Sequence, residues 1–366
     1  MSTNNAAKER CDPMVSVLLP VRDGLPYLPA AVESILNQTY GNFELIVVDD
    51  GSLDKSRELI AARALLDHRI RLVANPGNGL VDALNHGIGL ARGAYVARMD
   101  ADDIAMPERL ERQVAFLDAH QHIAVLGTQV HHIDEKGAPY GKASAFPTDP
   151  EAISAALMEK GCVIRHPTIM ARRDALVAIG GYRSALVYAE DFDLWLRMAE
   201  RYQLANLADA TLFYRLHANA ISVSRHLEQQ LAHSLALLSA QRRRMGLRDP
   251  VDAGSLPGGA VEADDSELLR LLQAHSALKT FTDGSRSAGV IKAVLDAIEF
   301  GGFYHSKRFL VSVLSTIRQS ALDAGNLSVA WRGLRISLRV DPFRTLRSLR
   351  RNSGLRLQTG VILHET

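Results

Sequence analysis

At 366 residues the chain is too long for one small core, so a domain of ordinary size with a second, smaller unit is expected. Hydrophobic residues at 47% and charged residues at 23%, with a formal net charge of +1, exclude a disordered or fibrous chain and describe a packed globular one. Two cysteines, Cys11 and Cys162, in no metal-ligand spacing exclude a disulfide framework and point to a reducing compartment, the cytoplasm by default.

Residues 1–14 are polar, lack an apolar signal core and are expected to be disordered. No later run approaches the roughly 20 apolar residues that a membrane span needs. Val15 to Leu19 then reads as a buried strand ended by Pro20. Tyr27, Leu28, Ala31, Val32, Ile35 and Leu36 recur with helical period, and Phe43 to Val48 forms a second buried strand. At its carboxyl end stands Asp49-Asp50-Gly51-Ser52, with Gly51 suited to a tight turn and Ser52 to capping a helix that begins near Asp54. Further strands are expected at Ile70–Val73, Ala94–Ala97 and Ile123–Leu126, with helices at Leu80–Ala91 and Pro107–His120. This alternation predicts an α/β fold with a mainly parallel sheet flanked by helices, which binds ligands beyond the carboxyl ends of its strands.

After about residue 225 only helical patterns remain: Leu227–Met245, Glu267–Thr280, Ala288–Ile298, Ser306–Ala324 and Leu327–Leu338, interrupted by a Gly/Pro-rich stretch at Asp252–Gly259. The expected organisation is an α/β domain over 15–225 and a C-terminal α-helical region over 226–366. Residues 301–366 carry eleven Lys/Arg against three Asp/Glu, a basic tail that either is solvated or meets phosphates on an anionic surface. From Arg318 onward only Trp331 and Phe343 interleave the arginine run, too few for a nucleic-acid stacking platform.

Met99-Asp100-Ala101-Asp102-Asp103 follows an apolar run, and carboxylates so close together repel unless something positive sits among them. Asp100, Asp102 and Asp103 are therefore candidate ligands of Mg2+ or Mn2+; the competing reading is a cap for the helix after Met106-Pro107, for which one Asp would suffice. Asp49 and Asp50 either cap a turn or, alongside the acidic cluster, let Asp50 accept hydrogen bonds from a nucleotide base or ribose. Asp191 opens a helix whose apolar face holds Phe192, Trp195, Leu196 and Ala199; it is either a cap or a base for a hydroxyl. His166-Pro167-Thr168 and Tyr214-Arg215-Leu216-His217 add polar groups, with His217 either structural or a phosphate or metal contact.

Taken in order, Val15-Ser16-Val17-Leu18-Leu19-Pro20, Gln38-Thr39-Tyr40, Glu44 to Ser52, Gly79 with Ala83-Leu84-Asn85 and Gly87, Ala91-Arg92-Gly93, Asp100-Ala101-Asp102-Asp103 and Glu190-Asp191 resemble a family 2 glycosyltransferase of the GT-A fold, over about Val15 to Ser222. The resemblance implies inverting transfer of one sugar from a nucleotide-diphosphate sugar. It implies donor contacts at Pro20, Val21, Arg22, Asp23, Asp49, Asp50, Gly79, Asn85, Asp100, Ala101 and Asp102. It implies metal contacts at Asp100, Asp102, Asp103 and His217, and catalysis by Asp191 with Glu190. Arg22-Asp23 stands where the family usually has an aromatic-Asn pair, and the Gln-x-x-Arg-Trp motif of processive synthases is missing.

The expected partners are a nucleotide-diphosphate sugar, a saccharide or lipid-linked acceptor of surface polysaccharide or glycolipid synthesis, and no nucleic acid. Peripheral contact with an anionic membrane through the basic tail and homo-oligomerisation stay open. A nicotinamide-dependent oxidoreductase is disfavoured because Pro20-Val21-Arg22-Asp23-Gly24 replaces the glycine fingerprint. A metal-dependent phosphatase would place its Asp-x-Asp after the first strand, and a non-catalytic nucleotide-sugar-binding scaffold would bind donor without turnover.

Overall fold

The computed structural model describes residues 14–217, 226–249, 251, 295, 314–315, 317–319 and 327–340. The chain divides into two compact units, 1–224 and 225–366.

In the first unit, β1 (Val15–Val21) and β2 (Phe43–Asp49) are buried at every position, as expected of apolar runs covered on both faces. They are joined by α1 (Leu28–Leu36). After α2 (Ser56–Leu66) come β3 (Ile70–Ala74), α3 (Leu80–Leu90), β4 (Tyr95–Arg98), β5 (Ile104–Ala105), α4 (Arg109–Ala119) and β6 (Ile123–Ile133). The unit closes with α5 (Pro150–Glu159), β7 (Met170–Arg172), α6 (Arg173–Ala178), α7 (Glu190–Ala199) and β8 (Gln203–Arg215). The strands form one sheet in the order β3-β2-β1-β4-β7-β6-β8-β5. Helix α3 lies so close to β1 that a Cβ on Gly87 would stand 2.1 Å from Leu18 Cδ1, which is why that helical position is glycine.

The sheet is mainly parallel, as expected, with two short strands reversed. The pairs β1–β2, β1–β4, β2–β3 and β6–β8 are parallel, but β7 runs antiparallel to both β4 and β6, and β5 antiparallel to β8. Strands of two or three residues carry no periodicity, and β8 mixes Asn, Asp and Ala into its apolar run, so none of these was visible as a strand. Two helix starts also differ. Helix α2 begins at Ser56 because Ser52 does not cap it; the Ser52 hydroxyl instead accepts from the Asp23 N–H at 3.1 Å. Helix α4 begins at Arg109, leaving Pro107 in the preceding turn.

In the second unit, α8 (His226–Arg244) buries Ala232, Leu235, Ala236 and Ala240, and Ser239 donates to Asp249 at its end at 2.5 Å. Helix α9 (Leu327–Val340) buries Ala330 and Ile336 and exposes Trp331. Of the other expected helices, Glu267–Thr280 lies outside the described residues, whereas Leu295, 314–315 and 317–319 are helical. Among the described residues no helix is long and apolar enough to cross a membrane.

Candidate active site

Three segments meet beyond the carboxyl ends of β1, β2 and β4. The first is the lip made by residues 20–24, 49–54 and 75–79. Asp50 accepts from Asn75 Nδ2 at 2.6 Å and from the Gly79 N–H at 2.9 Å, while Arg22 Nη1 stands 3.6 Å from its other oxygen. Gly79 has φ +87°, a conformation that a side chain would strain, and this lets its N–H turn toward Asp50. Val21 joins the lip through its carbonyl, which accepts from the Asp50 N–H at 2.8 Å. Asp49 and Asp23 serve the lip's structure. Buried Asp49 takes Arg57 Nη1 at 3.1 Å and the Ser52 N–H at 3.3 Å. Asp23 accepts from the N–H groups of Leu53 (2.7 Å) and Asp54 (3.1 Å).

The second segment is the acidic loop between β4 and β5. Asp100, Asp102 and Asp103 each offer an oxygen, all within 4.8 Å of one another. Asp100 is ion-paired with buried Arg98. Asp102 lies 2.9 Å from His217 Nε2. Asp103 accepts from the Arg215 N–H at 2.8 Å, while its second oxygen is buried without a hydrogen-bond partner. The pairing of Ile104 with Phe213 brings the end of β8 here, and the Arg215 guanidinium donates to the Asp102 carbonyl at 2.8 Å and lies over the Tyr27 ring. Burial pushes Asp103 well above the usual carboxylate range, and the charges of Asp100 and Asp102 add to this. Asp100 is also raised by burial, against the pull of Arg98 and with the charges of Asp102 and Asp191 adding.

The donor set fits a hard divalent cation. Three carboxylates converge, one keeps a buried oxygen with no hydrogen-bond partner among the described residues, and their mutual repulsion is what a bound cation would relieve.

The third segment is the start of α7. Asp191 is half-buried, accepts the Phe192 N–H at 2.7 Å, and lies 3.7 Å from the Cys162 thiol. Its charge is felt at Asp100, so the acidic loop and the start of α7 face one region. Glu190 beside it is buried, and burial first, then the Asp191 charge, pushes its carboxyl up to about 7. The helix is anchored below by Asp193, fully buried between Arg183 (3.0 Å) and Arg197 (2.9 Å).

The Asn85 side chain is engaged by the backbone of Tyr182. Its amide donates to the Tyr182 carbonyl at 2.9 Å and accepts from the Tyr182 N–H at 2.9 Å, pinning α3 to the segment before α7. His166 is buried with Nε2 2.7 Å from the Tyr182 hydroxyl, and burial together with the Arg98 charge holds it well below its ordinary value. Sequence reading missed Arg98 and Arg109. Arg109 is fully buried, donates to the Arg98 carbonyl at 2.6 Å, and burial lowers it to about 9. The available signal was an arginine closing an otherwise apolar strand directly before the acidic loop.

Residues 16–180 match the family model described as Glycosyl transferase family 2. The chain is 37% identical over 236 residues to EpsE of Bacillus subtilis (strain 168), spanning 63% of this chain and 83% of EpsE. It is 32% identical over 208 residues to the O-antigen biosynthesis glycosyltransferase WbnJ of Escherichia coli, spanning 56% of this chain and 80% of WbnJ. Among solved structures, S. aureus TarS 1–349 in complex with UDP-GlcNAc superposes with a TM-score of 0.53 at 18% identity, over 90% of this chain and 91% of that one. That last likeness is one of fold, and it makes the sheet described above GT-A-like.

Proposed function

The chain belongs to glycosyltransferase family 2, and from that premise we propose that it moves one sugar from a nucleotide-diphosphate sugar to an acceptor hydroxyl with inversion at the anomeric carbon. The observation that supports this reading most is the convergence of Asp100, Asp102 and Asp103, one of them with a buried unpartnered oxygen, with Asp191 within electrostatic reach of Asp100.

The nucleoside of the donor lies along the Arg22, Asp50 and Gly79 lip, where Asp50 is held in place by Asn75 and the Gly79 N–H and Arg22 offers a planar guanidinium to the base. The diphosphate reaches the acidic loop, where Asp100, Asp102 and Asp103, with His217 behind Asp102, would hold Mg2+ or Mn2+. Such a cation, when bound, supplies positive charge against the charge that builds on the departing diphosphate.

Asp191 accepts the proton of the acceptor hydroxyl as its oxygen attacks the anomeric carbon from the face opposite the nucleotide. The bond between the anomeric carbon and the diphosphate oxygen breaks with its electron pair going to the diphosphate. Glu190, held protonated to higher pH than an ordinary carboxyl, keeps like charge low beside Asp191. O-antigen synthesis by WbnJ supports a saccharide or lipid-linked acceptor of surface polysaccharide, and the arginine-rich residues 301–366 support peripheral contact with an anionic membrane.

The test is a screen of nucleotide sugars for thermal stabilisation with and without Mn2+, followed by transfer assays on the donors that bind. Donor binding that is indifferent to Mn2+ would overturn the metal assignment, and donor cleavage to phosphate with no acceptor product would turn the reading to a hydrolase.

A further inference from the structure

At the opposite end of the sheet, the amino-terminal ends of β4 and β6 and the start of α6 enclose a recess of about 810 Å3, within the size range of small-molecule sites. Small apolar side chains, Ala94, Ala124 and Ala178, form part of its lining. Around them stand three arginines, Arg92, Arg172 and Arg173.

These cations are incompletely compensated. Arg172 donates to neutral oxygens: the carbonyls of Leu117 at 2.7 Å, Ile123 at 3.0 Å and His120 at 3.3 Å, and the Tyr95 hydroxyl at 3.4 Å. Arg173 donates to the Ala91 carbonyl at 2.9 Å, and its ion pair with Asp174 is long, 3.8 Å, to a carboxylate 95% exposed. Arg92 shares the single carboxylate of Glu44 with Arg71. Asp118 is nearby, accepting the Tyr95 hydroxyl at 2.6 Å. Among the described residues, Arg92 Nη1 and Arg173 Nε have no hydrogen-bond acceptor, so two guanidiniums keep donors for a ligand.

Guanidinium groups match phosphate oxygens, and the alanine floor asks for an apolar body beside the anion. The ring of Tyr95 is buried with Arg172 stacked on it, so it offers no face to a nucleotide base. We propose that this recess binds a lipid phosphate, its headgroup on Arg92 and Arg173 and its chain along the alanines, at a site separate from the catalytic end.

The experiment titrates the full chain calorimetrically with dihexanoyl phosphatidic acid, dihexanoyl phosphatidylcholine and inorganic phosphate, the first also in saturating UDP. Binding of the phosphatidic acid is expected, about tenfold or more tighter than either comparison ligand, undisturbed by UDP, and weakened about tenfold in both Arg173→Glu and Ala178→Asp. Ala178 is exposed, so the second variant reports even if the first is unstable. Equal binding of phosphatidylcholine removes the anion contact, and equal binding of inorganic phosphate removes the apolar one. Displacement by UDP moves the ligand to the catalytic end, and no binding, or unchanged binding in Ala178→Asp, overturns the site. None of these outcomes depends on transfer, so failure here and failure of the glycosyltransferase reading are separable.

Discussion

His217 Nε2 lies 2.9 Å from Asp102 Oδ2, joining a residue just past β8 to the acidic loop across 115 positions of sequence. The contact orients the most exposed of the three loop carboxylates, and it does so from a side chain that packs against the Tyr27 ring at 5.4 Å. Substituting His217→Ala is expected to weaken Mn2+ binding roughly 10- to 100-fold, the usual cost of losing a group that orients a metal ligand. Titration of Mn2+ followed by calorimetry checks it, and an unchanged affinity would place His217 outside the metal site.

Asp191→Asn retains the shape of the side chain and removes its ability to take a proton. Transfer should fall by roughly 10²- to 10⁴-fold, with the donor dissociation constant unchanged. A variant that keeps full turnover would remove Asp191 from the role of base. One that loses donor binding as well would show that the residue positions the donor.

Glu190 gives a stability prediction with a definite sign. Its carboxyl is raised from 4.5 to about 7 in the folded protein, so the folded state binds a proton more tightly than the unfolded one. The stability this contributes is fully present below about 4.5 and is lost as pH rises through about 7. Glu190→Gln, neutral throughout, should therefore be more stable than the wild type at about pH 8, by up to about 3 kcal/mol, and lose that advantage at about pH 5. Denaturant unfolding of both proteins at the two pH values in the presence of a chelator measures the difference. A gap that widens toward acid contradicts the shift.

Asn85→Ala distinguishes a packing role from a donor contact. The substitution strands the N–H and carbonyl of Tyr182, each a loss of about 1–3 kcal/mol if buried without a partner. Stability should drop while UDP affinity stays unchanged. A selective loss of UDP affinity at unchanged stability would return Asn85 to the donor site.

Much of the first unit could be read along the chain. Strands β1 and β2 are continuous apolar runs because both their faces are covered, and α1 and α3 repeat their buried residues at helical spacing for the opposite reason, since one face is covered. The acidic loop was legible because three carboxylates in four residues are rarely tolerated without a reason. The neighbours of those carboxylates were not legible. Arg98, Arg109 and Arg215 look like ordinary charged residues until the fold buries the first two and threads the third under the loop.

What the sequence determined by itself is local: where strands and helices alternate, and which short stretches concentrate carboxylates at strand ends. Pattern and propensity act over a few residues, and those choices are complete within such a window. What the tertiary structure decided is pairing. Strand direction in the β7-β6-β8-β5 half of the sheet, the approach of β8 to the acidic loop, and the engagement of Asn85 by Tyr182 depend on which surfaces bury each other. Those contacts join residues as much as 115 positions apart, and no short stretch of chain carries the energy that selects them.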